Sequence, residues 1–242
     1  MAQKASTGKK IILWISLFSI SMAFLESAIV IYLRRIYYPY GFDFPLVPME
    51  GTISLTELFR EIATMLMLLS FSIIAGKTFR QRFAVFVYCF AVWDIFYYIF
   101  LYLLIGWPTS LMTWDILFLI PVTWTGPVIT PIIVSFTMIA IALLILIKDR
   151  NNIQLKFNPV IWTFILAGSL LLILSFIWDY SSYMLEHYSL SKLFKYSGSK
   201  GLFNLAYNYI PRRFNWFLFV LGEINVIIGI IILSLTGKTD KN

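Results

Sequence analysis

The chain has 242 residues, of which 60% are hydrophobic, 18% aromatic and only 13% charged, with a net charge of +7 and a mean hydropathy of +0.83. A soluble domain carries about a quarter charged residues, so the composition excludes an ordinary cytosolic fold and a disordered chain. One cysteine, Cys89, excludes an internal disulfide or thiolate cluster, and one histidine, His187, excludes a bis-histidine haem or multi-histidine zinc site within the chain.

What remains is an all-α polytopic membrane protein. A helix crosses the hydrocarbon with about 20 apolar residues. Six stretches qualify: 11–33, 55–76, 83–107, 128–147, 160–178 and 214–237. They are continuous, unlike the alternating segments of a membrane β-barrel. The expected architecture is a single transmembrane domain over 1–242, a six-helix bundle with outer loops 34–54, 108–127 and 179–213 and short interfacial helices on the outer face.

The first span follows Lys9 and Lys10. It is too long for a secretory apolar region and lacks a prompt small-x-small site, so it reads as an uncleaved helix. Ser19, Ala23 and Ser27 recur every four residues as a small-residue packing face, and Glu26 borders it. With the N-terminus in the cytoplasm, Lys4, Lys9, Lys10, Lys77, Arg80, Arg82, Lys148, Arg150, Lys156, Lys238 and Lys241 lie inside. Arg34, Arg35, Lys192, Lys195, Lys200, Arg212 and Arg213 then lie outside, a smaller set. That asymmetry predicts cytoplasmic termini in a plasma (inner) membrane. No basic-aromatic module accompanies the positive charge, so the expected partners are the lipid bilayer and other membrane subunits, not nucleic acid.

The loop after the first span holds Pro39, Pro45 and Pro48, which forbid a regular helix. The second span opens on Ser54-Leu-Thr-Glu57, a capping box that gives Glu57 a structural role. Arg60 is spaced to pair with Glu57, and Glu57, Glu61 and Thr64 form one stripe. On the third span Ala91, Asp94 and Tyr98 share a face, so the Tyr98 hydroxyl can reach the acid one turn away. Cys89 reads as a small packing residue.

The second outer segment, GWPTSLMTWDILFLIPVTWTGPVITP, carries an apolar piece at 116–120 that is too short to cross. An interfacial helix is the favoured reading and a re-entrant turn the other, because irregular backbone at depth must face protein or water. The fourth and fifth spans carry no charge. In the third outer segment Leu190, Leu193 and Phe194, then Leu202, Leu205, Ala206 and Tyr209, repeat a helical spacing. Both sets read as amphipathic helices on the membrane surface. His187 reads as solvated.

Charges inside spans are rare and usually point into the bundle. At 1.5 Å per residue, Glu61 lies about 10 Å below the outer edge, Glu26 about 12 Å, Glu223 about 15 Å and Asp94 about 20 Å. Four carboxylates from four helices are thus expected in one polar pocket, with Arg60 moderating them and Tyr98 nearby. The bland alternative for each is a hydrogen-bonded packing residue. The dipeptide Trp-Asp occurs at Trp93-Asp94, Trp114-Asp115 and Trp178-Asp179. It reads either as interfacial tryptophan beside a chance neighbour or as a degenerate duplication. Asp115 and Asp179 would form an entrance that attracts cations.

No Glu-x-x-His, G-x-S-x-G, H-E-x-x-H or Walker A motif is present, and no cofactor is indicated. An all-carboxylate site for Mg²⁺, Ca²⁺ or Mn²⁺ stays open. The leading expectation is transport or passage of a proton, cation or small cationic solute, because sheltered carboxylates can carry protons near neutral pH. A non-catalytic subunit of a larger membrane complex is the second. A lipid-modifying enzyme using the outer carboxylates with Tyr97 or Tyr98 is the third.

Overall fold

All six apolar runs form helices long and apolar enough to cross a membrane. The computed structural model describes residues 2–189, 205–236 and 238–239. The helices are α1 (Ala2–Tyr37), α2 (Gly51–Ala75), α3 (Phe79–Ile105), α4 (Ile129–Arg150), α5 (Pro159–His187) and α6 (Trp216–Leu235). Two short antiparallel ladders accompany them: β1 (Trp114–Phe118) with β2 (Trp124–Pro127), and β3 (Ile153–Gln154) with β4 (Lys238–Thr239).

Local chemistry sets several helix ends. Asn158 and Asn215 accept the backbone N–H of Ile161 and Leu218 as N-caps, and Thr78 accepts that of Gln81. Arg34 and Arg35 stand in the last turn of α1, where cations complement the helix dipole. That extends the helix beyond the expected residue 33. The capping box at Ser54 does not form. Helix α2 starts earlier, at Gly51, and the Ser54 hydroxyl is buried without a hydrogen bond. The Ser54 N–H already donates to the Glu50 carbonyl at 2.9 Å, and Glu57 accepts instead from the guanidinium of Arg60.

Helix α3 is central, touching α1, α2 and α4, while α5 and α6 pack together as a pair. Ser19, Ala23 and Ser27 are fully buried where α1 meets α3. Ser27 donates to the Tyr97 carbonyl at 3.2 Å, and Ser16 bonds the Tyr88 hydroxyl at 2.8 Å. Cys89 is buried in the same seam, as a packing residue.

The second outer segment differs from the expected interfacial helix: it is a β-hairpin. Trp114 pairs with Pro127, Asp115 with Gly126 and Ile116 with Thr125. Pro121 and Pro127 cannot sustain a helix, and the Trp, Ile and Phe of β1 suit a half-buried strand. The ladder pairs much of the hairpin's backbone, and the hairpin folds into the protein. Trp124 stacks on Phe176 of α5 with ring centroids 6.1 Å apart.

In the third outer segment α5 continues past residue 178 to His187, whose ring is exposed. Leu190, Leu193, Phe194 and Leu202 lie outside the described residues. Tyr209, expected on a surface helix, is fully buried. It rests against Tyr180 and Tyr183 of α5 and against Phe44.

Candidate functional site

A cavity of about 200 Å³ lies between α1, α2, α3 and β1, bounded on one side by the α1–α2 connection at Leu46, Val47 and Met49. Glu26, Glu57, Glu61, Asp94 and Asp115 line it, together with Arg34 and Arg60. Its remaining wall is largely aromatic, including Tyr37, Tyr38, Phe42, Trp93, Tyr97, Tyr98 and Phe118.

Helix periodicity places the first group. Glu57, Glu61 and Thr64 fall on the buried face of α2. Arg60 bridges α2 to α1, donating from Nη1 to Glu26 Oε1 and from Nε to Glu57 Oε2 at 2.8 Å. Thr64 donates to the other Glu26 oxygen at 3.4 Å. Glu61 is engaged differently. Its Oε2 accepts the N–H of Leu119 at 3.0 Å and its Oε1 that of Ile120 at 3.4 Å, so it ties α2 to the hairpin turn.

The second group surrounds Asp115, which is 2% exposed. Arg34 Nη2 reaches its Oδ1 at 3.3 Å, and the Tyr98 hydroxyl donates to Oδ2 at 3.2 Å. The Arg34 guanidinium lies against two rings, 4.4 Å from the Phe42 centroid and 3.7 Å from that of Trp107. Asp94 stands apart on α3, where Ser135 of α4 donates to Oδ2 at 2.8 Å. Its Oδ1 receives no hydrogen bond among the described residues.

Glu26, Glu61 and Asp94 therefore share one cavity, as expected. Glu223 does not line it. Helix α6 pairs with α5 rather than with α1–α3, and Glu223 meets Thr137 of α4 at 2.8 Å. Asp115, placed at an outer entrance by sequence, is buried inside the cavity wall because the hairpin folds inward. Tyr98 serves Asp115 and not Asp94. Asp179 is outside the cavity. It accepts the Tyr209 hydroxyl at 2.7 Å and the backbone N–H groups of Arg212 and Arg213, fixing the turn into α6.

Sequence reasoning kept Arg34 in a loop. The sequence placed it with Arg35 among the outer basic residues, and the inward hairpin gives it an ion-pair partner in Asp115. Trp93 was legible as part of Trp93-Asp94 but not as cavity wall. Its indole N–H is buried without an acceptor.

Asp115 gives a pH test. Burial pushes its carboxyl from the ordinary 3.8 up to about 6, against the pull of the Arg34 guanidinium. Between about pH 4 and pH 6 the folded chain keeps a proton that the unfolded chain has lost. The contribution of Asp115 to stability is thus full below that window and declines as pH rises through it. Denaturant unfolding in micelles should show Asp115→Asn losing this part of the pH dependence. A variant whose stability tracks the parent at every pH would contradict the assignment.

Among the described residues, no group of three or more His, Cys, Asp or Glu is placed to hold a metal ion. Glu57 and Glu61 share the α2 wall, Glu26, Asp94 and Asp115 stand on other elements, and Arg60 already spans Glu26 and Glu57. In comparisons with known proteins, the chain matches no family model, no curated protein and no solved structure.

Proposed function

We propose that the protein binds a proton or small cationic solute in this cavity and passes it across the membrane. One observation carries the reading: more carboxylates than guanidiniums line a sheltered, aromatic-walled space. Arg60 matches one charge of the Glu26–Glu57 pair, and Arg34 matches Asp115. Glu61 and Asp94 have only neutral donors. Unmatched carboxylates away from water favour a proton or cation beside them.

The walls favour an organic ammonium ion over a bare metal. Aromatic faces attract such cations through their quadrupoles, and the Trp93, Tyr97 and Phe118 rings stand in the wall beside the acids. Passage through the plasma membrane with both termini cytoplasmic belongs to the same proposal, from the asymmetry of basic residues. A docking role draws less support, since Glu26, Glu57 and Asp115 already have cationic partners in their own chain. Lipid chemistry through Tyr98 also draws little support, because its hydroxyl is committed to Asp115.

Uptake of radiolabelled methylammonium into vesicles containing the purified protein tests the reading. Asp94→Asn removes one unmatched charge and keeps the side-chain shape. It should lower uptake by about tenfold or more, the scale of a charge-assisted contact, without loss of folding. Uptake equal to that of the parent protein would count against the proposal.

A further inference from the structure

A second cavity, of about 330 Å³, opens where α1 and α3 end on the hairpin side of the bundle. Arg34, Arg35, Tyr38, Gly41, Trp107 and Thr109 line it, and no carboxylate does. Its two charged groups, Arg34 and Arg35, are both cations. Arg34 is 8% exposed, and its Nη1 is buried without a hydrogen-bond partner although Nη2 serves Asp115. A buried guanidinium N–H without an acceptor is costly. Arg35 is exposed and has no ion pair among the described residues. The Tyr38 hydroxyl accepts the Val47 N–H at 2.9 Å, which leaves its own proton free to donate.

The charge balance is opposite to that of the first cavity. Asp115 matches Arg34, and Arg35 is left over, so one negative charge would complete the site. The guanidinium of Arg34 rests in the corner formed by the perpendicular rings of Phe42 and Trp107, so its charge is fixed in place at the cavity wall. Planar guanidinium groups suit the tetrahedral oxygens of phosphate, and the ends of spanning helices lie at the level of lipid headgroups. A snorkelling arginine would keep its whole head in water. Arg34 does not.

We propose that this cavity binds a phosphate group, with the phosphodiester of a lipid headgroup as the occupant in the membrane and free phosphate as the other source of the same chemistry. The inference stands independently of what the first cavity carries. Delipidated full-length protein in micelles, titrated with phosphatidylglycerol, diacylglycerol or inorganic phosphate and read by native mass spectrometry, tests it. Phosphatidylglycerol should bind about tenfold more tightly than diacylglycerol, which lacks the phosphate.

Arg35→Gln, at an exposed position, should lower that affinity by about tenfold, and Arg35→Lys should restore part of it as a point charge. Inorganic phosphate that displaces the lipid, or binds when the lipid does not, assigns the site to free phosphate. Failure of phosphate to compete assigns it to the headgroup. Equal binding of phosphatidylglycerol and diacylglycerol, no binding of either phosphate probe, or an Arg35→Gln variant indistinguishable from the parent would overturn the proposal.

Discussion

Arg60→Gln should destabilise the protein by about 2–3 kcal/mol in denaturant unfolding. Breaking a buried pair by removing one partner costs about 3–5 kcal/mol. Partial exposure of the Arg60 side chain (22%) places it below that range. The substitution leaves Glu26 and Glu57 facing each other across α1 and α2 without their shared cation. It also removes the polar bridge between these two helices in the cavity wall. Adding Glu26→Gln should recover part of the loss, and a double-mutant cycle isolates the pair. A shift below about 0.5 kcal/mol, the value of an exposed pair, would mean that the bridge is solvated and structurally idle.

Gly168→Val should have an effect of similar size or larger, through packing alone. A Cβ at Gly168 would meet the Gly222 carbonyl oxygen at 2.7 Å and the Val226 backbone nitrogen at 2.9 Å. Neither is a flexible side-chain end, so α5 and α6 must move apart. Overpacking costs about 1–3 kcal/mol, occasionally more. Between membrane helices close van der Waals approach is a main source of association, because lipid is as apolar as the side chains. Thermal unfolding should show a clear loss for Gly168→Ala and a greater one for Gly168→Val. Gly51→Ala, whose Cβ would meet nothing within 4 Å, is the control and should be near neutral. Equal stability of all three variants would mean that the α5–α6 seam is not tightly packed.

The fold class and the six spans were legible because continuous apolar length is a strong signal. The small-residue face at Ser19, Ala23 and Ser27 was legible for a similar reason, since its four-residue spacing maps onto one side of a helix. The hairpin was not. A five-residue apolar piece flanked by prolines fits a strand, a turn or a short helix, and what decides is tertiary: Glu61 waiting for the N–H groups of Leu119 and Ile120.

That hairpin also explains the misplacement of Asp115 and its pairing with Arg34. Position along each helix was enough to bring Glu26, Glu61 and Asp94 to one expected pocket, but not to name the partner each takes there. Glu223 sits at a comparable expected depth, yet its helix packs on α5, so it belongs to a different contact. The capping box at Ser54 failed because α2 starts three residues earlier, at Gly51, and the Ser54 N–H is already bonded inside the helix.

Calorimetric titration of the purified protein with methylammonium tests the acid-rich cavity most directly. Saturable binding to the parent protein, weakened by about tenfold in Asp94→Asn, is the predicted result. No saturable binding, or the same affinity in both proteins, would contradict a cation site in this cavity.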